Sequence, residues 1–361
     1  MDCNPLNITS FGEALRINGS TIYRWYRDVL SQYAIDQGAS VHCHDIRIHV
    51  SGKEKVIEIP ILRAENFGDK MSIDEKHIGE DFYTIITNRE IGKIALLCKS
   101  VLFSEIKEVV QRHEELFARI KSITLDFSSL YKKTCTELIP NAVQIGDKFH
   151  VVSNLMDAHQ AVRIRYRQKE LEKRRKAFHE FKLSEKQRME KCERMDYKYK
   201  PAKFHYKEER LENGETPLEI LARSRYLLYK YPHQWKPWQH KRAIALFHFY
   251  PEIEASYKLC CQFRDWLSEK NIGKPYLPID KELHQWYEDM ESADIEELLN
   301  FMAMVESNED MIRNYFIEGE TNALAESVNS KIQKFVSSNR GTRDKDFFFF
   351  RLDNYYAITS K

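Results

Sequence analysis

The sequence predicts an α/β protein in which a strand-rich region is followed by a long helical one. Between residues 70 and 150, apolar runs of strand length alternate with turn residues in the order strand, strand, strand, helix, strand. From about residue 150 to residue 318, apolar side chains recur almost throughout at helical spacing. Residues 8–35 predict two short helices ahead of the strands, which together form a helix-turn-helix.

The second N-terminal helix is the candidate DNA-reading element of this module. Ser20 or Thr21 is expected to cap it, which leaves Tyr23, Arg24 and Arg27 toward solvent. The second helix of a helix-turn-helix can enter the major groove, so these three side chains are candidate DNA contacts. A generic helical hairpin has the same periodicity and remains the alternative.

The strand-rich region carries an acidic residue at the end of two of its strands. A first core strand ends at Asp74, and a hairpin, a helix and a fourth strand that closes on Asp126 come next. If the first and fourth strands lie side by side, the two carboxylates converge at one edge of the sheet. The predicted strands are 42–50, 55–61, 71–74, 82–87, 93–98, 123–125 and 143–145, and the predicted helix that follows the hairpin is 104–118.

A third acid, Glu326, lies on a predicted late helix that Asn322 would cap. Three carboxylates on separate elements can bind two divalent ions about 4 Å apart, which is the arrangement that phosphodiester transfer uses. Mg²⁺ (or Mn²⁺) prefers such hard oxygen ligands. These features predict a ribonuclease-H-like catalytic core that is interrupted by a large all-helical insertion. Because 55 Asp and Glu residues are scattered through the chain, chance placement is the competing interpretation, and Asp126 also suits a helix cap.

The net charge of +1 hides a strong segregation of charge. Residues 163–210 carry 18 Lys and Arg against 9 Asp and Glu, whereas residues 280–326 carry 14 acids against 2 bases. A basic surface of this kind can follow phosphates. The densest basic cluster lies on a predicted long helix over residues 161–196, where the alternative is an ordinary solvated face. Its members are Arg163, Arg165, Arg167, Lys173, Arg174, Arg175 and Lys176.

Aromatic residues are concentrated in two later segments. Rings in the first segment can stack on an unpaired base at a cut DNA end, although filling a helical core is the alternative. The second segment, the four Phe at 347–350, is expected to close the core against the helix of Glu326. The rings of the first segment belong to Tyr226, Tyr229, Tyr231, Trp235 and Trp238.

The seven cysteines predict neither a zinc ribbon nor a disulfide framework, because no two of them form a C-x-x-C pair. They are typical of reduced, mostly buried thiols in a cytosolic protein. The sequence has no N-terminal signal-like apolar region and no span of about 18 apolar residues, so neither secretion nor membrane insertion is expected.

Four motifs resemble the core of bacterial insertion-sequence transposases of the DDE class. The branch is the ISL-type one, which is related to Mutator-like transposases, and the resemblance covers about residues 70–160 and 320–352. The motifs are Ile73-Asp74-Glu75 with Gly79 and Tyr83-Thr84-Ile85; Thr124-Leu125-Asp126-Phe127-Ser128 with Tyr131; Pro140-Asn141-Ala142 with Asp147-Lys148-Phe149-His150-Val151; and Asn322-Ala323-Leu324-Ala325-Glu326 with Ser327-Val328-Asn329-Ser330-Lys331-Ile332.

The resemblance implies a transposase whose Asp74, Asp126 and Glu326 bind Mg²⁺ (or Mn²⁺). This family has acids at the positions of both Asp126 and Asp147, so Asp147 stays open as the middle ligand. Asp126 is preferred because it ends the fourth strand, and Asp147 with His150 then supports the site or simply caps a helix. The implied organisation is a helix-turn-helix at 1–38, a β linker at 39–68, the catalytic domain at 69–154 and 319–361, and the helical insertion at 155–318.

The implied partners are double-stranded DNA, at element terminal repeats and at the target, and further copies of this chain. The implied location is the bacterial cytoplasm, at the nucleoid. A zinc-binding module found upstream in many relatives is missing here, which predicts that end recognition is incomplete or involves another chain. Two alternatives are a DNA-binding remnant that no longer cuts and a ribonuclease-H-like nuclease without strand transfer. The DNA-contact candidates are Tyr23, Arg24, Arg27, Arg163, Arg167, Arg174, Arg175, Trp235, Trp238 and Lys331.

Overall fold

The chain forms two compact units. The first, here called the sheet unit, consists of residues 1–148 and 310–361, and the second, the helical unit, consists of residues 149–309. The structure, a computed structural model, describes residues 7–34, 41–50, 53–318, 323–339 and 344–358.

The described part of the sheet unit contains two β-sheets. Their strands are β1 (Ile46–Val50), β2 (Lys53–Ile57), β3 (Ile61–Leu62), β4 (Lys70–Ile78), β5 (Asp81–Asn88), β6 (Lys93–Cys98), β7 (Ser122–Leu125) and β8 (Val143–Gly146). β1 and β2 form an antiparallel hairpin of their own. The other six strands form one mixed sheet in the order β3-β6-β5-β4-β7-β8.

Tight turns explain why β4, β5 and β6 are consecutive antiparallel strands. Gly79 and Gly92 reverse the chain with φ of 68° and 63°, a conformation that glycine adopts without steric cost. The predicted hairpin is confirmed by the pairing of β5 with β6. The expectation that the first core strand ends at Asp74 is wrong, because pairing with β5 carries β4 on to Ile78. β7 runs parallel to β4, and β8 runs parallel to β7. Parallel neighbours need crossover connections, which are helical here.

Helices cover both faces of the six-stranded sheet. Successive residues of a strand point to opposite faces, so each strand contributes apolar side chains to both layers. Ile73 and Ile86 pack into one apolar cluster, whereas Ile85 and Ile94 pack into another. The predicted helix over 104–118 is interrupted at His113, where the helical hydrogen bonding stops. The first face is covered by α3 (Phe103–Arg112), α4 (Glu114–Phe117) and α5 (Ser129–Leu138), and the second by α1 (Ile8–Ala14), α2 (Gly19–Trp25), α13 (Ala323–Ser338) and α14 (Lys345–Ile358).

The four phenylalanines of α14 close the core of the second face, as the sequence predicted. Phe347, Phe348, Phe349 and Phe350 are all buried. The ring of Phe348 lies 5.2 Å from that of Phe335 on α13, in an edge-to-face arrangement that aromatic pairs prefer. The two last helices of the chain are therefore packed together on the sheet.

The N-terminal helices α1 and α2 belong to the same core. The N-cap of α2 is Asn18, whose side chain accepts a hydrogen bond from the amide of Ser20 at 2.9 Å. The expectation that Ser20 or Thr21 caps this helix is therefore wrong, since Asn18 lies one residue before the first helical turn and reaches its free amides. After α2 the chain continues as a single π-helical turn over Tyr26–Leu30.

The described residues of the helical unit form helices and loops without a strand. The 47-residue α6 buries Val151, Leu155 and Val162 near its start and is charged and mostly exposed beyond them. Among the described residues of both units, no helix is long and apolar enough to cross a membrane. The helices between α5 and α13 are α6 (Lys148–Arg194), α7 (Pro217–Arg223), α8 (Pro237–Phe249), α9 (Pro251–Trp266), α10 (Tyr276–Ala293), α11 (Glu296–Glu306) and α12 (Glu309–Glu318), of which α12 belongs almost entirely to the sheet unit.

Candidate active site

The register of β4 and β7 brings two of the predicted acids next to each other. Ile73 of β4 is aligned with Leu125 of β7 in a parallel pair. Asp74 follows Ile73 and Asp126 follows Leu125, so the two acids occupy equivalent positions on neighbouring strands. Asp126 comes directly after the last residue of β7, whereas Asp74 lies inside β4.

A third acid continues this line across the sheet. Gly146 of β8 is aligned with Leu125, and the amide of the next residue, Asp147, donates a hydrogen bond to the Leu125 carbonyl at 2.9 Å. Asp74, Asp126 and Asp147 thus follow one another on three neighbouring parallel strands, and we call them the acidic row. The two candidates for the middle ligand are neighbours in this row.

Asp74 is held by donors on both of its oxygens. Its Oδ1 accepts a hydrogen bond from the amide of Glu75 at 2.7 Å. Its Oδ2 accepts one from Nδ2 of Asn329 at 2.8 Å and forms an ion pair with Nζ of Lys76, also at 2.8 Å. The side chain is only 22 % exposed, so its orientation is fixed by these contacts rather than by solvent.

Asp126 and Asp147 differ in their accessibility. Asp126 is partly buried, and its Oδ1 accepts a hydrogen bond from the amide of Ser128 at 3.0 Å, just before α5. The N-cap of α5 is Ser128, so Asp126 is not the helix cap of the alternative interpretation. A carboxylate has about four acceptor sites and can bind an ion as well as this amide. Asp147 is buried, with 7 % of its surface exposed.

The helix of Glu326 runs beside the acidic row. Glu326 lies on α13, one helical turn before Asn329. Because Asn329 donates to Asp74, this part of α13 is fixed against β4. The side chain of Glu326 and the predicted cap Asn322 lie outside the described residues.

The donor types in this region suit a hard divalent cation. Carboxylate and amide oxygens are the ligands that Mg²⁺ prefers, and Asp74 and Asp126 supply them from adjacent strands. Oδ1 of Asn329 is buried and has no hydrogen-bond partner among the described residues, a situation that costs about 1–3 kcal/mol when no water or ion satisfies the oxygen. Within the described part of the chain, no three His, Cys, Asp or Glu side chains form a complete metal site, and Glu326, the expected third ligand, is not among the side chains described.

A buried tyrosine supports the row from the opposite side of the sheet. The hydroxyl of Tyr131 on α5 lies 3.3 Å from Oγ1 of Thr84. Burial raises the pKa of Tyr131 well above its usual value, and the charges of Glu75, Asp74 and Asp126 raise it further. Tyr131 therefore stays neutral and acts as a hydrogen-bonding and packing residue.

Sequence reasoning missed two side chains of this site. Lys76 lies two residues after Asp74, a spacing that places both on one face of a strand. Asn329 was part of a motif, but its contact with Asp74 was not predicted. The helical spacing of three from Glu326 was the available signal, since it places Asn329 on the same side of α13.

The N-terminal DNA-contact candidates have unequal surroundings. Tyr23 was expected to face solvent but is partly buried, because its ring packs edge-on against Phe347 at 5.6 Å. Arg27 is also partly buried and pairs with Asp344 at 2.8 Å. Arg24 is exposed.

The basic cluster of α6 divides into a buried and an exposed part. Arg163, a DNA-contact candidate for which a solvated face was the alternative, is buried instead. It is 6 % exposed and donates to the carbonyl of Leu221 and to Oε1 of Gln160, each at 2.7 Å. Its guanidinium is therefore used to hold the helical unit together. Arg167 is partly buried, whereas Arg174 and Arg175 are exposed.

The two tryptophan candidates also differ. Nε1 of Trp235 donates to the carbonyl of Leu227 at 3.0 Å, and its ring stacks on Tyr257 at 5.5 Å. Trp235 is partly buried and packs within the helical unit, which favours the alternative interpretation. Trp238 is 54 % exposed, and the guanidinium of Arg242 lies 5.1 Å above its ring.

The remaining candidates lie on helices of both units. His150 is partly buried in the first turn of α6, three residues after Asp147 in the chain. Lys331 is partly buried on α13. Their roles in DNA contact or catalysis remain predictions.

The family model of ISL3-type DDE transposases matches residues 71–352. The matched segment begins in β4, just before Asp74, and ends in α14, so it contains the acidic row and α13. Comparisons with curated proteins and with solved structures found no match. Since the matched segment makes up most of the 361 residues, this chain belongs to the ISL3 family of transposases, which are DNA-processing enzymes.

Proposed function

We propose that this protein nicks the ends of an insertion sequence and transfers the freed 3′-hydroxyl to target DNA. Asp74, Asp126 and Glu326 would bind Mg²⁺ (or Mn²⁺) for both steps. The observation that carries the proposal is the alignment of Ile73 with Leu125, which sets Asp74 and Asp126 side by side. The contact of Asn329 with Asp74 supports it, because it draws in the helix of Glu326.

We also propose that the six-stranded sheet is the core of a ribonuclease-H-like domain. β4, β5, β6, α3 and β7 follow in the order strand, strand, strand, helix, strand, and β7 pairs with β4. This is the arrangement that places the first and second ligands on neighbouring strands. The N-terminal pair α1 and α2 would be the helix-turn-helix that holds element ends.

The roles of the chain's own residues follow from their contacts. Bound divalent ions supply activation of the attacking oxygen and stabilisation of the leaving oxygen. Asp74 and Asp126 would hold these ions from adjacent strands, and Asn329 fixes the orientation of Asp74. Rigid placement matters because a displacement of about 1 Å at a reacting centre can lower the rate about a hundredfold.

Asp126 is our choice for the middle ligand over Asp147. Asp126 is the direct neighbour of Asp74, and it is less buried than Asp147. A buried carboxylate one strand further away suits a supporting role. Replacing each acid with Asn separates them: loss of nicking in Asp126→Asn with activity retained in Asp147→Asn is expected, and the reverse would exchange their roles.

The expected DNA substrate is a duplex that carries the element's terminal repeats, with a second duplex as the target. Arg174 and Arg175 are exposed on α6 and can contact phosphates. Arg24 and Trp238 are further exposed candidates. Assembly of two or more copies on paired ends, in the bacterial cytoplasm, completes the proposal.

The test of the activity is Mg²⁺-dependent nicking of duplex DNA that bears the repeats flanking this reading frame. Nicking that disappears in Asp74→Asn and in Glu326→Gln supports the proposal. Binding without nicking in the wild type would favour a DNA-binding remnant. Nicks without joined products would favour a nuclease that lacks strand transfer.

The test of the basic helix is the salt dependence of duplex binding. The double variant Arg174→Ala/Arg175→Ala should lower the slope of log K against log salt by about 2, since each phosphate contact contributes about 1. Lys186→Ala/Lys191→Ala is the matched control, because both lysines are exposed on the same helix. Equal slopes in both double variants would assign Arg174 and Arg175 to an ordinary solvated face.

A further inference from the structure

The contact between Asn329 and Asp74 joins residues that are 255 positions apart in the chain. β4 carries one of them and α13 carries the other, and the whole helical unit lies between them in sequence. A single hydrogen bond of 2.8 Å therefore connects the strand of the first proposed ligand to the helix of the last.

The orientation of the Asn329 amide is determined by chemistry. A carboxylate oxygen only accepts hydrogen bonds, so the amide NH₂ must face Oδ2 of Asp74. The opposite orientation would set a carbonyl oxygen against a carboxylate. The amide oxygen Oδ1 consequently points away from Asp74, and it is buried without a hydrogen-bond partner among the described residues.

Buried polar atoms in proteins almost always have a partner, which is protein, water or an ion. An unsatisfied acceptor next to a proposed metal ligand therefore indicates that a water molecule or an ion binds there in the working protein. Lys76 is not that partner in the structure, where its ammonium contacts Oδ2 of Asp74 and no hydrogen bond reaches Oδ1 of Asn329 from a described residue.

We propose that Asn329 is a positioning residue for metal binding at the acidic row. Its Nδ2 fixes the rotamer of Asp74, and its Oδ1 accepts a hydrogen bond from water that enters with the ion. This inference rests on the proposed function, since it assumes that Asp74 binds a divalent cation. Residues that orient a metal ligand typically change metal affinity about 10- to 100-fold when they are replaced.

The first test is Mn²⁺ titration of the full-length protein by calorimetry, without DNA. We expect Asn329→Ala to bind Mn²⁺ about 10- to 100-fold more weakly than the wild type. Gln333→Ala is the matched control, because Gln333 is an exposed amide one turn further along α13, and it should bind like the wild type. Circular dichroism in chelator checks that each variant is folded.

A second variant of equal size keeps the inference testable if alanine unfolds α13. Asn329→Asp places a carboxylate against Asp74, so in chelator its melting temperature should fall by about 2–4 °C. Mn²⁺ should relieve the repulsion and raise that melting temperature more than it raises the wild-type value. A residue that only packs α13 onto the sheet would give the same Mn²⁺ shift in both proteins.

Three outcomes separate this inference from the proposed function. Mn²⁺ affinity that stays within twofold of the wild type in Asn329→Ala, while Asp74→Asn loses binding, would overturn the role of Asn329 alone. Equal Mn²⁺ shifts in Asn329→Asp and the wild type would do the same. Absence of Mn²⁺ binding by the wild type, together with absence of nicking, would overturn both proposals.

Discussion

Glu215 in the helical unit is paired with two arginines, whereas Asp74 in the acidic row has a single lysine and two neutral donors. Glu215 receives Arg242 through contacts of 2.7 and 3.0 Å and Arg223 at 3.0 Å. Asp74 has one charged partner, Lys76, and otherwise a backbone amide and the Asn329 amide. Two guanidinium groups cancel the charge of a carboxylate, but neutral donors leave it in place. The partners of Glu215 therefore suit a structural carboxylate, whereas those of Asp74 leave more of its charge available to a cation.

The largest effect is expected on catalysis. Asp74→Asn and Asp126→Asn should each lower the rate of Mg²⁺-dependent nicking about a thousandfold or more, because several kcal/mol of transition-state stabilisation is lost. The measurement is single-turnover cleavage of a labelled terminal-repeat duplex. Glu215→Gln is the control with a structural acid, and its nicking rate per folded molecule should equal that of the wild type.

The opposite result would contradict the distinction between Glu215 and Asp74. If Asp74→Asn cuts at the wild-type rate while Glu215→Gln is inactive, the partners of an acid do not report its role, and the active site lies elsewhere.

A stability effect is expected from the structural acid. Glu215→Ala should lower the free energy of unfolding by about 2 kcal/mol. Breaking a fully buried pair costs about 3–5 kcal/mol, and the smaller value is expected here because Arg223 is half exposed. Urea unfolding followed by tryptophan fluorescence measures it, since four of the five tryptophans lie in the helical unit. Asp74→Ala should change this transition by less, and an equal change would contradict the distinction.

A pH effect is expected from a buried histidine of the helical unit. Burial, together with the nearby charges of Arg163 and Arg264, lowers the pKa of His159 to about 3. The unfolded chain takes up this proton near pH 6.5 but the folded one does not, so stability should fall as the pH decreases from 6.5 toward 3. The slope is up to about 1.4 kcal/mol per pH unit, measured by urea unfolding between pH 7 and 5.

The control for that slope is His159→Gln, which has no titrating group at this position. The variant should lose this component of the pH dependence. An unchanged slope of the free energy of unfolding against pH would show that other groups cause it. The buried, neutral imidazole of His159 would then contribute nothing to the sensitivity to acid.

The smallest effect is expected from the lysine of the acidic row. Lys76→Met should tighten Mn²⁺ binding by a few-fold, because the ion no longer displaces an ammonium from Oδ2 of Asp74 and such partly exposed pairs contribute about 0.2–1 kcal/mol. Calorimetry measures it. Weaker Mn²⁺ binding in Lys76→Met would show that the lysine helps to form the site instead of competing for it.

Local patterns were sufficient to predict where most of the core strands lie and the positions of two acids, but the predicted strand 42–50 begins only at Ile46 and the predicted strand 55–61 breaks after Ile57. Asp126 follows the apolar run 123–125, and the structure ends β7 at Leu125. The alternation of side chains and the glycine turns are properties of neighbouring residues, so they are visible in the sequence. The end of β4 was not predictable in this way, because its last residues are held by pairing with β5.

The sequence by itself determined which residue types were available: acids after strands, a basic helix, and four phenylalanines that close a core. Only the tertiary structure decided that Arg163 is buried while Arg174 on the same helix is exposed, since burial depends on what packs against each position. It also decided that Asn329 meets Asp74 across 255 residues. Contacts at such separations depend on how the whole chain folds, and no local pattern of residues specifies them.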